Sequence, residues 1–348
     1  MEQGVWQEIE QLYQKFQKLG ISESVDYDKY YLYSLITHST AIEGSTLTEL
    51  DTQLLFDEGV TAKGKPLVHH LMNEDLKQAY ELAKAESESF APITPAFLKR
   101  LNAMLMRTTG SVHSVMGGSF DSSKGEFRLC GVTAGVGGYS YMNYLKVPAK
   151  VDELCAILKE KQKKVGIFRE QYELSFNAHL NLVTIHPWVD GNGRTARLLM
   201  NYIQFCYHLF PTKIFKEDRE EYILSLRQCQ DEETNQPFLD FMAGQLKKSL
   251  SLEIESFKAS QKKGVGFVCC IFLCECCSLI LNAKHNKGNC AVVPDRPFTF
   301  RGYTYHTSFR NKEYLAVYLK FSVSTKEEIK FFMCLVSVKK TGFCSRLE

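Results

Sequence analysis

The stretch HPWVDGNGRTAR, residues 186–197, places a histidine, an acid, a Gly-Asn-Gly turn and two arginines within twelve positions. A tight turn needs only the Gly-Asn-Gly, because glycine and asparagine tolerate positive φ. The other polar side chains need a further explanation. The stretch is therefore a candidate ligand site.

Two apolar segments with helical periodicity flank this stretch, EQYELSFNAHLNLVTI before it and TARLLMNYIQFCYHL after it. Pro187 disfavours helical geometry at the residue before it. The first helix is therefore predicted to end near His186, with the imidazole at its exposed end. The polar residues gather in the turn between two helices.

This turn has the features of an anion site. Gly191, Asn192 and Gly193 offer successive backbone N–H groups at the start of the second helix, where the donors are unpaired and the helix dipole is positive. Arg194 and Arg197 share a face of the first helical turn and add guanidinium donors suited to phosphate oxygens.

Asp190 adds a carboxylate beside these donors. Phosphate would repel it unless a divalent cation lay between them. The stretch thus predicts a site for a polyphosphate and Mg²⁺, with His186 at its edge. The alternative is an ordinary helix corner in which Asp190 caps the helix and the arginines are solvated, which is common for isolated polar residues but less so for seven at fixed spacing.

The pattern resembles the active-site motif of the Fic family, whose usual form is HPFxxGNGRxxR, with Trp188 in place of the phenylalanine. The likeness extends over about residues 30–245 and includes GEFR at 125–128 and REEYILSL at 219–226. The resemblance implies a mainly α fold, a Fic-type helical bundle with a β-hairpin flap.

The resemblance also implies an activity, that of an adenylyltransferase moving AMP from ATP to a Ser, Thr or Tyr hydroxyl of a target protein or of itself. In that scheme His186 is the general base, and its near-neutral reference pKa suits proton removal at pH 7. Asp190 would hold Mg²⁺ against the α and β phosphates, which the backbone of residues 191–193 would bind. Arg194 would contact the β phosphate and Arg197 the γ phosphate.

A second signature lies upstream, in THSTAIEGSTLT at residues 37–48. Ser39, Glu43 and Gly44 match the inhibitory pattern of the family, and Ser39 and Glu43 share a face of a helix predicted near 30–44 that Gly44 can terminate. The resemblance implies auto-inhibition, because a Glu43 carboxylate on Arg197 would occupy the donors that the γ phosphate needs. The alternative is a solvated glutamate at a helix end.

Residues 117–145 are rich in glycine and tyrosine and fit the flap of the family, a hairpin that docks an extended stretch of the target by strand addition. The family often closes this flap with a Pro-Pro pair, whereas this chain has Pro148 alone. The alternative is a surface loop.

The composition, 45% hydrophobic and 24% charged, is typical of a soluble globular protein. The 348 residues are predicted to form an N-terminal helical region (1–90), a Fic catalytic core (91–262) and a cysteine-containing tail (263–348). The tail resembles no family known to us and contains strand-like segments such as EYLAVYLKFSV.

Several properties are expected to be absent. The formal net charge of +2 gives no reason to expect nucleic acid or an anionic membrane as a partner. The start lacks a secretory signal and the twelve cysteines are predicted to be reduced, so a cytoplasmic location is expected. The apolar run 267–281 is shorter than the roughly twenty residues that span a bilayer. Metal binding by His38, His69 and His70 is not expected.

Other functions remain open for the same site. It could remove AMP with Glu43 positioning a water, or transfer another phosphate-containing group. It could also belong to a nucleotide-sensing interaction protein with vestigial turnover. His186 argues against the last alternative, because binding alone requires no base. The sequence indicates neither the oligomeric state nor the target.

Overall fold

A computed structural model describes residues 2–134, 138, 140–285, 298–300, 303–311, 314–320, 333–337 and 345–346. The chain divides into two compact units, Met1–Ser260 and Gln261–Glu348. The finer division predicted at residue 90, within the first unit, stays a prediction.

The first unit is mainly helical, as predicted. Along the chain the helices are α1 (Glu2–Lys18), α2 (Tyr27–Ile42), α3 (Glu49–Glu58), α4 (Leu67–Ser87), α5 (Pro95–Leu105), α6 (Val147–Gln162), α7 (Phe168–Ile185), α8 (Asn192–Cys206), α9 (Arg219–Asp231) and α10 (Gln236–His285). Single turns of 3-10 helix lie at Ile21–Glu23, Ser122–Lys124, Tyr144–Lys146 and Lys216–Asp218.

Helix α8 lies at the centre of the first unit and packs against α2, α4, α5 and α7. Its apolar side chains, such as Leu198, Leu199 and Tyr202, are fully buried, and each such side chain contributes about 1.5–3 kcal/mol through the hydrophobic effect. The buried Asn201 accepts a hydrogen bond from Tyr80 Oη of α4 at 2.6 Å. The N-terminal turn of α8 is therefore held by a rigid core.

Three features hold the C-terminal end of α2 and the segment that follows it. Gly44 adopts φ +100°, a left-handed region that favours glycine, and stops the helix. The Arg219 guanidinium donates to the terminal carbonyl of Ile42 at 2.8 Å. Thr48 and Asp51 form a capping box at the start of α3. Together they fix the position of Glu43, the residue that follows the last turn of α2.

The β-hairpin of the first unit pairs β1 (Val112–Val115) with β2 (Gly118–Asp121) in antiparallel register. The predicted hairpin is present, but its first strand precedes the range 117–145. Gly117 lies in the turn, where a Cβ would clash with the Leu129 carbonyl oxygen. Within the described part of 122–145, Thr133 and Ser140 form an isolated antiparallel bridge.

The second unit contains an antiparallel sheet with strand order β3-β4-β5-β6-β7. The strands are β3 (Phe298–Phe300), β4 (Tyr303–Asn311), β5 (Tyr314–Lys320), β6 (Met333–Ser337) and β7 (Ser345–Arg346). Strand β5 lies in EYLAVYLKFSV, which the sequence predicted as a strand. The cysteine-rich stretch 267–277 lies in α10.

Within the described residues, no helix has the length and apolar character required to cross a membrane. Four cysteines of the first unit are free thiols, namely Cys130, Cys155, Cys206 and Cys229. The cytoplasmic location stays a prediction.

Candidate active site

His186 lies immediately after α7, as the sequence predicted from Pro187. It adopts the left-handed conformation, with φ 52° and ψ 62°, and its N–H donates to the Leu182 carbonyl at 3.0 Å. This backbone conformation is unfavourable by about 1–3 kcal/mol for a residue other than glycine. It is held by Arg128, whose Nε donates to the His186 carbonyl at 2.8 Å and whose backbone N–H donates to the Pro187 carbonyl at 3.0 Å.

The imidazole of His186 is neutral at pH 7. Burial lowers its pKa to about 4, and Arg128 adds to this effect, whereas the Val183 carbonyl, Glu43 and Asp190 oppose it. His186 Nδ1 lies 3.4 Å from the Val183 carbonyl oxygen. Because a carbonyl can only accept, a hydrogen bond at this contact requires the proton on Nδ1 and the lone pair on Nε2. Nε2 is therefore available as a proton acceptor.

The turn between α7 and α8 is closed by the side chain of Asn192. Asn192 Oδ1 accepts from the Trp188 N–H at 3.0 Å, and Asn192 Nδ2 donates to the Trp188 carbonyl at 2.9 Å. The Trp188 ring is fully buried and donates from Nε1 to the Gly125 carbonyl at 2.9 Å. The sequence predicted only the backbone contribution of Asn192, so this locking role of its side chain is a new finding.

The start of α8 presents unpaired backbone donors. The N–H groups of Asn192, Gly193 and Arg194 lie in the first helical turn, where the helix itself offers no acceptor. The Gly191 N–H was predicted to join them but donates to Asp190 Oδ1 at 2.6 Å. The donor set is therefore shifted by one residue from the predicted 191–193. The Asp190 side chain is 65% exposed.

Arg194 and Arg197 bring buried positive charge to this turn, with only 3% and 4% of their side chains exposed. Arg194 Nη2 lies 3.5 Å from Asp190 Oδ1. Three buried guanidinium nitrogens, Arg194 Nε, Arg194 Nη1 and Arg197 Nη1, have no hydrogen-bond partner among the described residues. Leaving a buried charged donor unpaired is unfavourable, so this turn is suited to bind an anion.

The other two guanidinium nitrogens of Arg197, Nε and Nη2, already have partners. Its Nη2 donates to Glu43 Oε1 at 2.6 Å and to the Ser39 carbonyl at 2.9 Å, while its Nε donates to Ser39 Oγ at 2.8 Å. Burial raises the pKa of Glu43, but the Arg197 charge outweighs it, so the pKa lies below its usual value. Glu43 is ionised at pH 7 and lies against Gly193, where a Cβ would meet Glu43 Oε1 at 2.5 Å.

The structure adds residues that the sequence did not identify. Arg128 is 1% exposed and links the segment after the hairpin to the His186 loop, donating to the Cys130 carbonyl at 2.7 Å and the Met142 carbonyl at 2.6 Å. Arg128 is the last residue of the GEFR motif, and this motif is the only feature of the sequence that pointed to it. Asn102 Nδ2 donates to Thr195 Oγ1 at 3.1 Å, across 93 residues. No sequence pattern indicates this contact.

Gly191→Ala is expected to destabilise the site. Gly191 has φ +79°, and a Cβ would lie 2.8 Å from Asn102 Nδ2 and 3.0 Å from Leu105 Cδ2. The left-handed backbone costs about 1–2 kcal/mol and overpacking a further 1–3 kcal/mol or so. Gly59→Ala is a matched control, because Gly59 has φ +68° with open space. Denaturant unfolding should show the larger loss for Gly191→Ala, and equal losses would contradict the crowding.

The fold and the site define a helical domain in which a turn between two helices brings buried guanidinium groups next to a neutral histidine. Residues 92–204 match the model of the Fic/DOC family, and this range includes the whole of 186–197. The chain contains a Fic domain.

Curated relatives are similar over 62% of the chain. Protein adenylyltransferase Fic of Drosophila grimshawi is 30% identical over 223 residues, 42% of its length, and that of Drosophila melanogaster is 28% identical over 223 residues, 41% of its length. The chain thus spans about two fifths of these relatives.

Solved structures share the fold. A Fic domain containing signaling protein from Bacteroides thetaiotaomicron has a TM-score of 0.62 at 25% identity, over 72% of this chain and 97% of that one. Fic-1 from C. elegans has a TM-score of 0.58 at 22% identity, over 73% of this chain and 71% of that one.

Proposed function

We propose that this chain is an auto-inhibited protein adenylyltransferase, which moves AMP from ATP to a Ser, Thr or Tyr hydroxyl of a protein. The observation that carries this proposal is the set of buried, unpaired guanidinium donors of Arg194 and Arg197 beside a neutral His186. A polyphosphate supplies the missing acceptors, and the histidine supplies a base. The names of the curated relatives support the same activity.

The chemistry follows from this arrangement. His186 Nε2 accepts the proton of the target hydroxyl, whose oxygen attacks the α phosphorus of ATP. A new P–O bond forms there, the bond to the bridging oxygen of the β phosphate breaks, and pyrophosphate leaves. The N–H groups of residues 192–194 and the guanidinium donors stabilise the phosphate charge. Such transfer depends mostly on positioning and charge stabilisation.

Asp190 fits the role of a Mg²⁺ ligand. One carboxylate oxygen accepts from the Gly191 N–H, and the side chain is 65% exposed, so the other oxygen is available to a cation. The described residues contain no group of three or more His, Cys, Asp or Glu side chains that could hold a metal. This suits Mg²⁺, which is often held by one or two carboxylates together with substrate phosphates and water. The cation would offset phosphate charge.

Auto-inhibition is supported by the occupancy of Arg197. Its Nη2 is bound by Glu43 and Ser39, so it is not available to the γ phosphate in this state. Hydrogen bonds of this charged kind are worth about 1.5–3 kcal/mol each. We infer that ATP must compete with Glu43 for Arg197, and that losing this competition leaves the triphosphate in an unproductive pose.

The target is proposed to dock on the flap by strand addition. The described hairpin has two strands, so each strand keeps one edge without a paired strand in the described residues. An extended segment of the target can pair with such an edge through its backbone, which fixes its position with little dependence on its sequence. Self-modification would present a hydroxyl of the same chain, or of a second copy, to the same site.

The test is to incubate the purified chain and candidate targets with ATP labelled in either the α or the γ phosphate. Adenylylation transfers the α label to protein and releases the γ label as pyrophosphate. Transfer of the γ label would instead indicate phosphorylation. Nucleotide binding without any transfer would favour a sensing protein, and loss of AMP from a previously adenylylated protein would favour the removal reaction.

The Mg²⁺ assignment predicts different outcomes for two neighbouring charges. Asp190→Asn keeps an oxygen for the Gly191 N–H but removes the charge, so it should raise the Mg²⁺ concentration needed for nucleotide binding. Arg194→Ala should weaken binding at every Mg²⁺ concentration, by about ten- to a hundredfold for one charged hydrogen bond. Calorimetric titrations at several Mg²⁺ concentrations measure both. An unchanged Mg²⁺ dependence in Asp190→Asn would exclude Asp190 as the ligand.

A further inference from the structure

The ring of Tyr141 stacks on the His186 imidazole. The two ring centroids are 3.6 Å apart and the planes are inclined by 15°. Tyr141 belongs to the segment predicted as the flap, and no feature of the sequence connects it with His186. The stack covers one face of the ring that carries the proposed base.

The backbone on both sides of this contact is held by one buried guanidinium. Arg128 donates from Nε to the His186 carbonyl at 2.8 Å and from Nη2 to the Met142 carbonyl at 2.6 Å, next to Tyr141. The Tyr141 N–H donates to the Val132 carbonyl at 3.1 Å. These bonds fix both residues relative to each other, so the stack is a built feature of the fold.

The polar contact of the imidazole in the described part of the chain fixes its plane only weakly. Its contact from Nδ1 to the Val183 carbonyl is 3.4 Å, longer than a usual N–H···O hydrogen bond. The second side-chain torsion of histidine is broad, so packing must select the ring orientation. The Tyr141 ring, stacked on the imidazole with centroids 3.6 Å apart, restricts rotation about that torsion.

We propose that Tyr141 is a positioning residue, whose ring holds the His186 imidazole in the plane that presents Nε2 to the target hydroxyl and shields one ring face from water. This inference deepens the proposed function and rests on it, since it takes His186 as the base. Tyr141 itself need not contact ATP or the transferred group.

The stack also affects the pKa of His186. The charged groups that face His186 are Arg128, Glu43 and Asp190, and burial is the largest influence, lowering the pKa of His186 to about 4. Removing the Tyr141 ring would hydrate the imidazole, so its pKa should rise towards the ordinary value of about 6.5. Below that higher pKa the base would be protonated and inactive.

The experiment compares Tyr141→Ala, Tyr141→Phe and Tyr144→Ala. Tyr144 lies in the same segment outside this stack and provides the matched control. The His186 imidazole resonances are followed by NMR from pH 8 to pH 5.5, without nucleotide or target. Wild type, Tyr141→Phe and Tyr144→Ala should stay mostly neutral at pH 5.5, whereas Tyr141→Ala should be mostly protonated. An unchanged titration in Tyr141→Ala, or an equal shift in Tyr144→Ala, would overturn the inference.

The activity of the same variants is measured with the Glu43→Gly change added. At pH 8, Tyr141→Ala should lower kcat by about ten- to a hundredfold with little change in the KM for ATP, as expected for a misplaced group. Tyr141→Phe should keep the kcat of the parent protein, because the stack needs no hydroxyl. Equal kcat values in all three would contradict positioning. The NMR titration requires no turnover, so failure of adenylylation in every variant would reject the proposed function separately.

Discussion

Glu43→Gly is expected to raise adenylylation, including self-modification, by orders of magnitude. Glu43 Oε1 lies 2.6 Å from Arg197 Nη2 and occupies a donor that we propose for the γ phosphate. Removing the carboxylate leaves this buried guanidinium without its counter-charge, so it should bind phosphate more strongly. Transfer of α-labelled AMP to protein, at matched concentrations of both forms, measures the gain.

The double variant with Arg197→Ala tests the mechanism of this gain. Since we propose that the productive pose requires this arginine, its removal should abolish the increase, and the two changes should be strongly non-additive, as expected of contacting residues. Glu58→Gly is a suitable control, because Glu58 also lies at a helix end. It should leave labelling unchanged.

Two other results would contradict auto-inhibition or indicate a different role for Glu43. Equal labelling by wild type and Glu43→Gly would mean that the ion pair does not limit activity, and auto-inhibition would be rejected. Loss of AMP removal in Glu43→Gly, measured on an adenylylated protein, would show instead that Glu43 serves the hydrolytic removal of AMP by positioning a water.

His186→Ala is expected to abolish transfer while nucleotide binding stays nearly intact. The neutral imidazole is the proposed proton acceptor, and a general base contributes about two to four orders of magnitude in rate. The N–H groups of residues 192–194, which we propose as phosphate donors, belong to the next helix and do not involve this side chain. Calorimetry with ATP and Mg²⁺, together with labelling in the Glu43→Gly background, measures both properties.

Two controls guard this prediction. His186→Asn introduces a residue that tolerates the left-handed backbone found here, with φ 52°. This variant should fold normally yet remain inactive. His69→Ala removes a histidine on α4 that contacts Thr46 and should retain activity. Near-normal labelling by His186→Asn would remove His186 from the mechanism.

Much of the site could be predicted because its parts are close in sequence. Pro187 indicated the end of α7, Gly191 the turn, and the following helix the unpaired donors, all through local backbone preferences. The pairing of Glu43 with Arg197 was different. The residue pattern alone left a solvated glutamate as an alternative, and only the resemblance to Fic proteins related two segments 154 residues apart.

Errors arose where local composition had more than one structural use. The glycines at 117 and 118 were interpreted as the start of the flap but lie at the turn of the hairpin, whose first strand begins at Val112. The Gly191 N–H was predicted as a free donor but is taken by Asp190. The first difference concerns the bounds of the hairpin, and the second concerns the acceptor of one N–H group.

The sequence by itself determined the helix–turn–helix that carries the motif and the types of donor it offers, because torsional preferences and helix ends act over a few residues. Only the tertiary structure decided which groups meet there. Arg128, Asn102 and Tyr141 approach the motif from distant segments. His186 is buried in this tertiary setting, and its burial lowers its pKa to about 4. Burial depends on everything that surrounds a side chain, which no local pattern specifies.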